Sequence, residues 1–135
     1  MDWLDNTLAE FGRQLGLPDL HLNAQGAVRL TLESGKQLSV EPSLQNGHQE
    51  VLVAMGLPVG HAAAQHAQAA LKMAHAESFP PLEIQLALSG QGADTLLIAT
   101  TRLPARAFTV PALSGAVRTL DRWLDSVTAA GTLHG

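Results

Sequence analysis

The residues from Leu82 to Val127 change their hydrophobic period once, and this change constrains the fold more than any other feature. Apolar residues first alternate with others, as in a half-buried strand, at Leu82, Ile84, Leu86 and Leu88. A second apolar run, Leu96 to Ala99, follows a glycine-containing break. Apolar residues then recur at intervals of four and three, which predicts a helix with one apolar stripe: Leu113, Val117, Leu120, Leu124 and Val127. The pattern predicts an antiparallel hairpin followed by a helix that covers its apolar face.

The N-terminal residues predict a second amphipathic helix, from Asp2 to Leu15. Its apolar stripe consists of Leu4, Leu8, Phe11 and Leu15. Gly16 and Pro18 follow and are expected to end the helix, because neither residue continues a helix favourably. This stripe has two interpretations, which are packing in the core and an apolar groove for a partner.

Between Leu20 and Val40 the large apolar residues fall on even positions: Leu20, Leu22, Val28, Leu30, Leu32, Leu38 and Val40. Opposed residues of a hairpin point to the same face, so a slip of one residue would invert one strand. A loop of three or five residues around Gly35 keeps all of them on one face, and we expect it to pair Leu32 with Leu38 and Leu30 with Val40. The stretch 23–26 reads as a bulge or loose bend within the first strand.

The next residues predict a polar loop from Pro42 to Gly47 and a strand from Glu50 to Leu57. The strand is nearly continuous in apolar residues, which favours burial of both its faces.

The alanine-rich stretch from His61 to Glu77 predicts a helix with one narrow polar stripe: His61, Gln65, Gln68, Lys72 and His75. A helix with so little polar surface is usually buried on more than one side, and a domain of this size offers few ways to do that. We therefore expect a homodimer with this helix and the strand 82–88 near its two-fold axis. The expected interface residues are Ala63, Ala67, Ala70, Leu71, Leu82, Ile84 and Leu86.

Composition excludes several classes of function. The 135 residues carry a net charge of −4 and are 46% hydrophobic, which fits one folded domain over 1–135 and argues against binding to nucleic acid or to an anionic membrane. The chain has no cysteine, so it has no disulfide and no thiol nucleophile. Its N-terminus is acidic, unlike a signal peptide, and no apolar run is long enough to cross a membrane.

No pattern of catalytic or metal-binding residues is present in the sequence. His61, His66 and His75 lack the spacing of zinc ligands on one helix, so we expect neither a metal nor another cofactor. The glycines at 90 and 92 lie between two strands and predict a turn, because a phosphate-binding loop precedes a helix. Asp121 and Asp125 each follow an arginine by three residues, which favours ion pairs on a solvated helix.

The order helix, three strands, helix, two strands, helix resembles the class I type III secretion chaperones, the Tir-chaperone-like family. The hairpin LEIQLAL…GADTLLIATTRLP and the helix containing LDRWLDSV carry this resemblance, and the element order extends it to almost the whole chain. It implies an α+β fold with an antiparallel sheet of about five strands and three helices. It also implies a cytosolic bacterial homodimer, without catalysis, that binds the N-terminal region of a secreted effector in extended form. Without using ATP, such a chaperone keeps its effector soluble and competent for export.

The resemblance places the effector contacts on the first helix and the adjoining strands, at Leu4, Leu8, Phe11, Leu20, Leu22, Val28 and Leu30. Not all seven can be exposed, because a small core needs several of them. Two alternatives remain from the sequence. One is a small-ligand-binding or enzymatic α+β domain with a pocket between sheet and helix. The other is a structural or regulatory dimer subunit without an unfolded client.

Overall fold

The computed structural model describes residues 2–14, 16, 26–45, 47–76 and 84–134. In chain order the main elements are α1 (Asp2–Gln14), β1 (Val28–Thr31), β2 (Gln37–Gln45), β3 (His48–Pro58), α2 (Ala63–Ala76), β4 (Gln85–Ser89), β5 (Leu96–Pro104) and α3 (Val110–His134). Short 3-10 turns precede α2, β5 and α3. The predicted α+β class and the predicted order of elements are confirmed.

The five strands form one antiparallel sheet in the order β1-β2-β3-β5-β4, so β1 and β4 are its edges. Side chains alternate between the two faces, and one face is buried beneath the helices, as Val51, Val53 and Met55 of β3 illustrate. The opposite face carries no helix in the described part of the chain, and we call it the open face.

Helix α3 lies across the middle of the buried face and contacts β3, β5, α1 and α2. Its start is fixed by Thr109, whose side-chain oxygen accepts a hydrogen bond from the Ala112 backbone N–H at 3.2 Å. Pro111 lies in the first turn, where its missing N–H costs no hydrogen bond. The predicted stripe faces the core, with Leu113, Leu120, Leu124 and Val127 fully buried and Val117 half-buried. Each such burial contributes about 1.5–3 kcal/mol, so this stripe is a major source of stability.

The apolar residues of the β1–β2 hairpin lie on one face, as predicted, but the strands pair in a register that is shifted by two residues from the predicted one. Leu30 pairs with Leu38 and Val28 with Val40, so the expected pairs Leu32–Leu38 and Leu30–Val40 were wrong. The cause is the turn, in which the Leu32 N–H donates to the Lys36 carbonyl at 2.8 Å. The apolar residues still share one face, because a shift of two residues preserves it.

Two further expectations for β2 and β3 were wrong. Pro42 to Gln45 continue β2, and Gln45 pairs with His48 at the start of β3, so most of the predicted polar loop from Pro42 to Gly47 is strand. Proline is tolerated there because β1 begins at Val28, opposite Val40, so within the described residues Pro42 faces no strand on that side. Strand β3 is buried on one face only, since Leu52 and Ala54 lie half-exposed on the open face.

The second hairpin and α2 lie close to their predicted positions. Strand β5 is longer than the predicted run, and the first predicted strand is described from Ile84 onward, with Leu82 outside the described residues. The glycine-containing break between β4 and β5 is a turn, as predicted. Leu15, Leu20 and Leu22 and most of the predicted bend also lie outside the described residues.

Candidate functional site

The first-helix and first-strand residues expected to contact a partner lie mostly in the core. Leu4, Leu8, Phe11 and Val28 are buried in the single chain, whereas Leu30 is half-buried. A partner could touch Leu4, Leu8 and Val28 only after displacing what covers them, whereas Phe11 is 3% exposed and lines an open groove. Their proposed role in partner binding stays a prediction, as it does for Leu20 and Leu22, which lie outside the described residues.

An open groove of about 560 Å³ lies where α1, the β1–β2 turn and α3 meet, and we call it the α1–α3 groove. Its apolar lining consists of Phe11, Leu32, Leu38 and Val117. Leu32 and Val117 are half-buried and pack against the core, so part of each faces solvent. The sequence assigned Val117 to the core stripe and Leu32 to the apolar face of a hairpin, and no pattern marked either as a surface residue.

One end of the α1–α3 groove holds a buried cation between two carboxylates. The Lys36 ammonium donates to Asp121 Oδ1 at 2.8 Å and to Asp125 Oδ1 at 2.6 Å. Burial by itself would lower the pKa of Lys36, but these hydrogen bonds and the attraction of both carboxylates outweigh it and raise the pKa above its ordinary value. The two aspartates therefore pair with Lys36, and the predicted pairing with the arginines three residues before them is replaced by this contact.

The α1–α3 groove lies beside β1, an edge strand of the sheet. Strand β1 pairs with β2 on one side, and within the described residues nothing pairs with its other side. An edge strand presents unpaired backbone N–H and C=O groups that an extended peptide can use to add a strand. Apolar pockets and main-chain hydrogen-bonding groups thus lie together at this corner of the molecule.

At the opposite edge of the sheet, β4 and α2 form a second partly apolar surface. Ala63, Ala67, Ile84 and Leu86 from the expected dimer interface are half-buried, while Leu82 and the side chains of Ala70 and Leu71 lie outside the described part. Leu88, absent from the expected set, is 50% exposed at the end of β4. Helix α2 packs against α3 within the same chain, so part of its small-residue surface, including Ala69, is covered without a partner.

The open face of the sheet carries a groove of about 400 Å³. Its lining includes Arg29 and Thr31 from β1, Ala54 and Gly56 from β3, and Leu96 and Ile98 from β5. No sequence pattern pointed to this surface. The sequence predicted that these strand residues are either buried in the core or exposed to solvent, and neither prediction indicates a groove.

The histidines of α2 do not form a metal site in the part of the chain that the structure describes. His66 Nδ1 lies 3.0 Å from the carbonyl oxygen of Ala62, in the 3-10 turn before α2, and donates to it. No cluster of three metal-ligating side chains occurs among the described residues. Among the same residues, no helix has the length and apolar character needed to span a bilayer.

Three solved structures share this fold. A chain of the HopA1–SchA chaperone–effector complex has a TM-score of 0.62 and 18% identity, with 91% of each chain covered. A chain of the ExsC–ExsE complex has a TM-score of 0.64 and 15% identity, covering 91% of this chain and 89% of that one. A chain of the complex of the Yersinia pestis type III secretion chaperone SycH with a stable fragment of YscM2 has a TM-score of 0.57 and 18% identity, covering 93% of this chain and 98% of that one. Identities this low establish the fold alone.

No curated protein sequence matches the chain. The family model described as type III secretory system chaperone SycN does match it, over residues 3–128. That match spans almost the whole chain and confirms the resemblance to type III secretion chaperones that the element order predicts. The chain therefore belongs to the type III secretory system chaperone SycN family.

Proposed function

We propose that this protein binds the N-terminal chaperone-binding region of a secreted effector in extended form, in the cytosol of a bacterium. Bound in this way, the effector stays soluble and competent for export without ATP and without catalysis. The observation that carries the proposal is the placement of the α1–α3 groove beside β1, an edge strand of the described sheet.

An extended client segment would use both parts of this corner. Its backbone would pair with β1, and every second side chain would point toward the helices, since side chains alternate along a strand. The half-buried Leu30, Leu32 and Val117 would receive those side chains. Such binding holds an unfolded segment away from its own folding and from aggregation.

The expected effector contacts divide into two groups under this proposal. Leu4, Leu8, Phe11 and Val28 belong to the packed core, and Leu30 is on the surface that the client touches. Leu20 and Leu22 keep their proposed role as client contacts. Leu32 and Val117 join the contact surface because both line the α1–α3 groove.

We also propose that two copies associate through β4 and α2. An edge strand with an exposed leucine is an aggregation hazard in a monomer, and pairing it with a second copy removes that hazard. Ile84, Leu86 and Leu88 would meet across the two-fold axis, with Ala63 and Ala67 beside them. Ala70, Leu71 and Leu82 keep their proposed place in the same interface.

The ligand-binding or enzymatic alternative is not favoured, because the family that matches is a chaperone family and two of the similar structures are described as chaperones with bound proteins. What those structures bind supports a protein client for this chain as well.

The experiment is affinity purification of the tagged protein from its native host, followed by mass spectrometry of co-purifying chains. Leu32→Glu places a charge in the α1–α3 groove and is expected to lose the client while the protein stays folded, with a modest fall in melting temperature because Leu32 is half-buried. Leu44→Glu is the matched control, because Leu44 is 69% exposed at the far end of β2 and outside this groove. Retention of the same client by both variants would contradict the proposed site.

A further inference from the structure

The open face has an apolar centre that none of the described helices covers. Leu52 and Ala54 on β3 and Leu96 and Ile98 on β5 form this centre, and all four are half-buried. Polar and charged side chains of β1, β2 and β5 lie around it. An apolar patch with a polar rim is typical of an interaction surface.

One row of side chains across the open face is complementary to itself. Leu52 pairs with Glu41 of β2 on one side and with Arg102 of β5 on the other, and opposed residues share a face. The backbones that carry the carboxylate and the guanidinium therefore lie about 5 Å to either side of β3. A two-fold rotation about an axis along β3 exchanges these two positions. It would place Glu41 of each copy over Arg102 of the other, as an interface between identical surfaces requires.

The adjacent row fits the same rotation. From β1 to β4 it consists of Arg29, Ser39, Ala54, Thr100 and Gln85. The rotation would place Arg29 over the amide of Gln85, whose oxygen can accept a hydrogen bond. It would place Ser39 over the hydroxyl of Thr100, and Ala54 over Ala54 of the second copy. No like charges meet in this row, and its small central side chains let two sheets pack face to face at about 10 Å.

Glu50 also lies on the open face, two residues before Leu52 on the strand that carries the axis. One of its carboxylate oxygens is 3.5 Å from the Arg102 guanidinium of the same chain. The rotation brings two copies of Glu50 toward each other, and each is already paired in this way. Arg102 would then lie between Glu50 of its own chain and Glu41 of the other.

The charges named on the open face cancel, whereas the chain as a whole has a net charge of −4. They are two arginines, Arg29 and Arg102, and two glutamates, Glu41 and Glu50. Two copies can therefore approach through this face without the like-charge repulsion that other parts of their surfaces cause. An unrelated partner would not share the order of these charges, so the self-complementary row favours a second copy.

The area of the open face determines how strong such a contact can be. The five strands span about 20 to 25 Å at their usual spacing, and the longer ones extend for roughly 25 Å. This gives about 500 Å² per copy, or about 1,000 Å² in total, which is the size of weak and transient interfaces. We therefore expect association well above micromolar concentration.

We propose that the open face is an interface between two copies of this chain, which stack face to face about a two-fold axis along β3. This contact is distinct from the one proposed at β4 and α2, which uses the edge of the sheet. If both contacts form, assemblies of four or more chains appear at high concentration. If only the open face associates, the product is a dimer.

The test is sedimentation velocity from about 5 to about 500 µM, the range in which a contact of this area forms. The average mass of the wild type should rise over this range. Glu41→Arg or Arg102→Glu alone places like charges over each other and should abolish the rise. An equimolar mixture of these two variants should restore it, because two arginines of one copy then face two glutamates of the other. This restoration would also show that both variants are folded.

Glu33→Arg and Arg122→Glu are matched controls, because each makes the same change of charge at an exposed residue outside the open face. Both should associate as the wild type does. Repeating the series on Leu88→Glu separates the two contacts, since the rise then starts from a monomer if β4 and α2 hold the dimer.

A wild-type mass that stays constant over this range would overturn the proposal, as would a mixture no more associated than its two components. Single reversals that associate like the wild type would also contradict it. If the wild-type mass is constant and Arg102→Glu loses a host protein that co-purifies with the wild type, the open face binds that protein and the proposal is wrong.

Discussion

The Lys36 ammonium donates a 2.6 Å hydrogen bond to the carboxylate of Asp125, a residue 89 positions further along the chain. The same ammonium reaches Asp121 one helical turn earlier on α3. Only 5% of the Lys36 side chain is exposed, so this contact anchors the β1–β2 turn to the last helix. The turn and α3 are two walls of the α1–α3 groove, and the ion cluster therefore holds the shape of the proposed client site.

Removing the two carboxylates should cost more stability than removing the lysine. Asp121→Asn with Asp125→Asn leaves a buried ammonium without a counter-charge, which we expect to cost about 3 kcal/mol. Lys36→Met leaves two carboxylates that are 42% and 64% exposed and can be hydrated, so we expect a loss of about 1 kcal/mol. Urea denaturation of both variants at pH 7 measures the difference. Equal losses would show that the ammonium is solvated rather than buried.

The same cluster predicts a loss of stability at alkaline pH. The folded-state pKa of Lys36 is raised above its unfolded value, so its contribution is complete below about pH 10 and is lost as the pH rises through the folded-state pKa. The chain contains no tyrosine and no cysteine, and Lys72 is its only other lysine, so few groups titrate in this range. Denaturation curves from pH 8 to 12, followed by fluorescence of the buried Trp123, measure the effect.

Two variants identify the group responsible. Lys36→Met should remove most of the loss of stability at alkaline pH, whereas Lys72→Met should still show that loss. An unchanged pH profile in Lys36→Met would assign the loss to another group.

The hairpin of β1 and β2 shows how much of the fold its sequence predicts. Alternation of apolar residues determines which face each side chain takes, and that part was correct for Leu30, Leu38 and Val40. The register itself depends on the backbone hydrogen bonds of the turn and on the anchoring of Lys36 by α3. A contact between residues so distant in sequence leaves no local pattern, so the two-residue difference could not be seen beforehand.

The candidate site was less predictable than the fold. The stripe of α1 identified the apolar residues Leu4, Leu8 and Phe11, but hydrophobic periodicity is the same for a core and for a groove. Leu88 was placed on the apolar side of a strand, and its exposure follows from the position of β4 at the sheet edge. Strand order is a tertiary property, which alternation alone does not determine.

The turn between β4 and β5 should tolerate no side chain at its first glycine. Gly90 has φ of +88°, and a Cβ atom there would lie 2.4 Å from the Asp94 carbonyl oxygen. Gly35 has φ of +90° with no heavy atom within 4 Å of such a Cβ, so it is a matched control. We expect Gly35→Ala to cost about 1 kcal/mol and Gly90→Ala clearly more, by thermal and urea denaturation. Equal costs would mean that the backbone near Asp94 yields without strain.

The proposed dimer predicts a light-scattering mass of about twice the 14.2 kDa chain at micromolar concentration. Leu88→Glu and Ala67→Arg each place a charge in the proposed interface and should give a folded monomer or an insoluble chain. Leu44→Glu changes another exposed leucine, which lies outside that interface, and this variant should stay dimeric. A wild-type protein that is monomeric at this concentration would remove the proposed interface.

Calorimetric titration of the N-terminal segments of proteins exported by the host's type III system into the purified chaperone tests the central claim most directly. The account predicts saturable binding of at least one segment, with a negative heat-capacity change from burial of apolar surface. It also predicts that Leu32→Glu abolishes that binding while Leu44→Glu does not. If the folded protein binds none of these segments, or if Leu32→Glu binds them as well as the wild type does, the proposed client site is wrong.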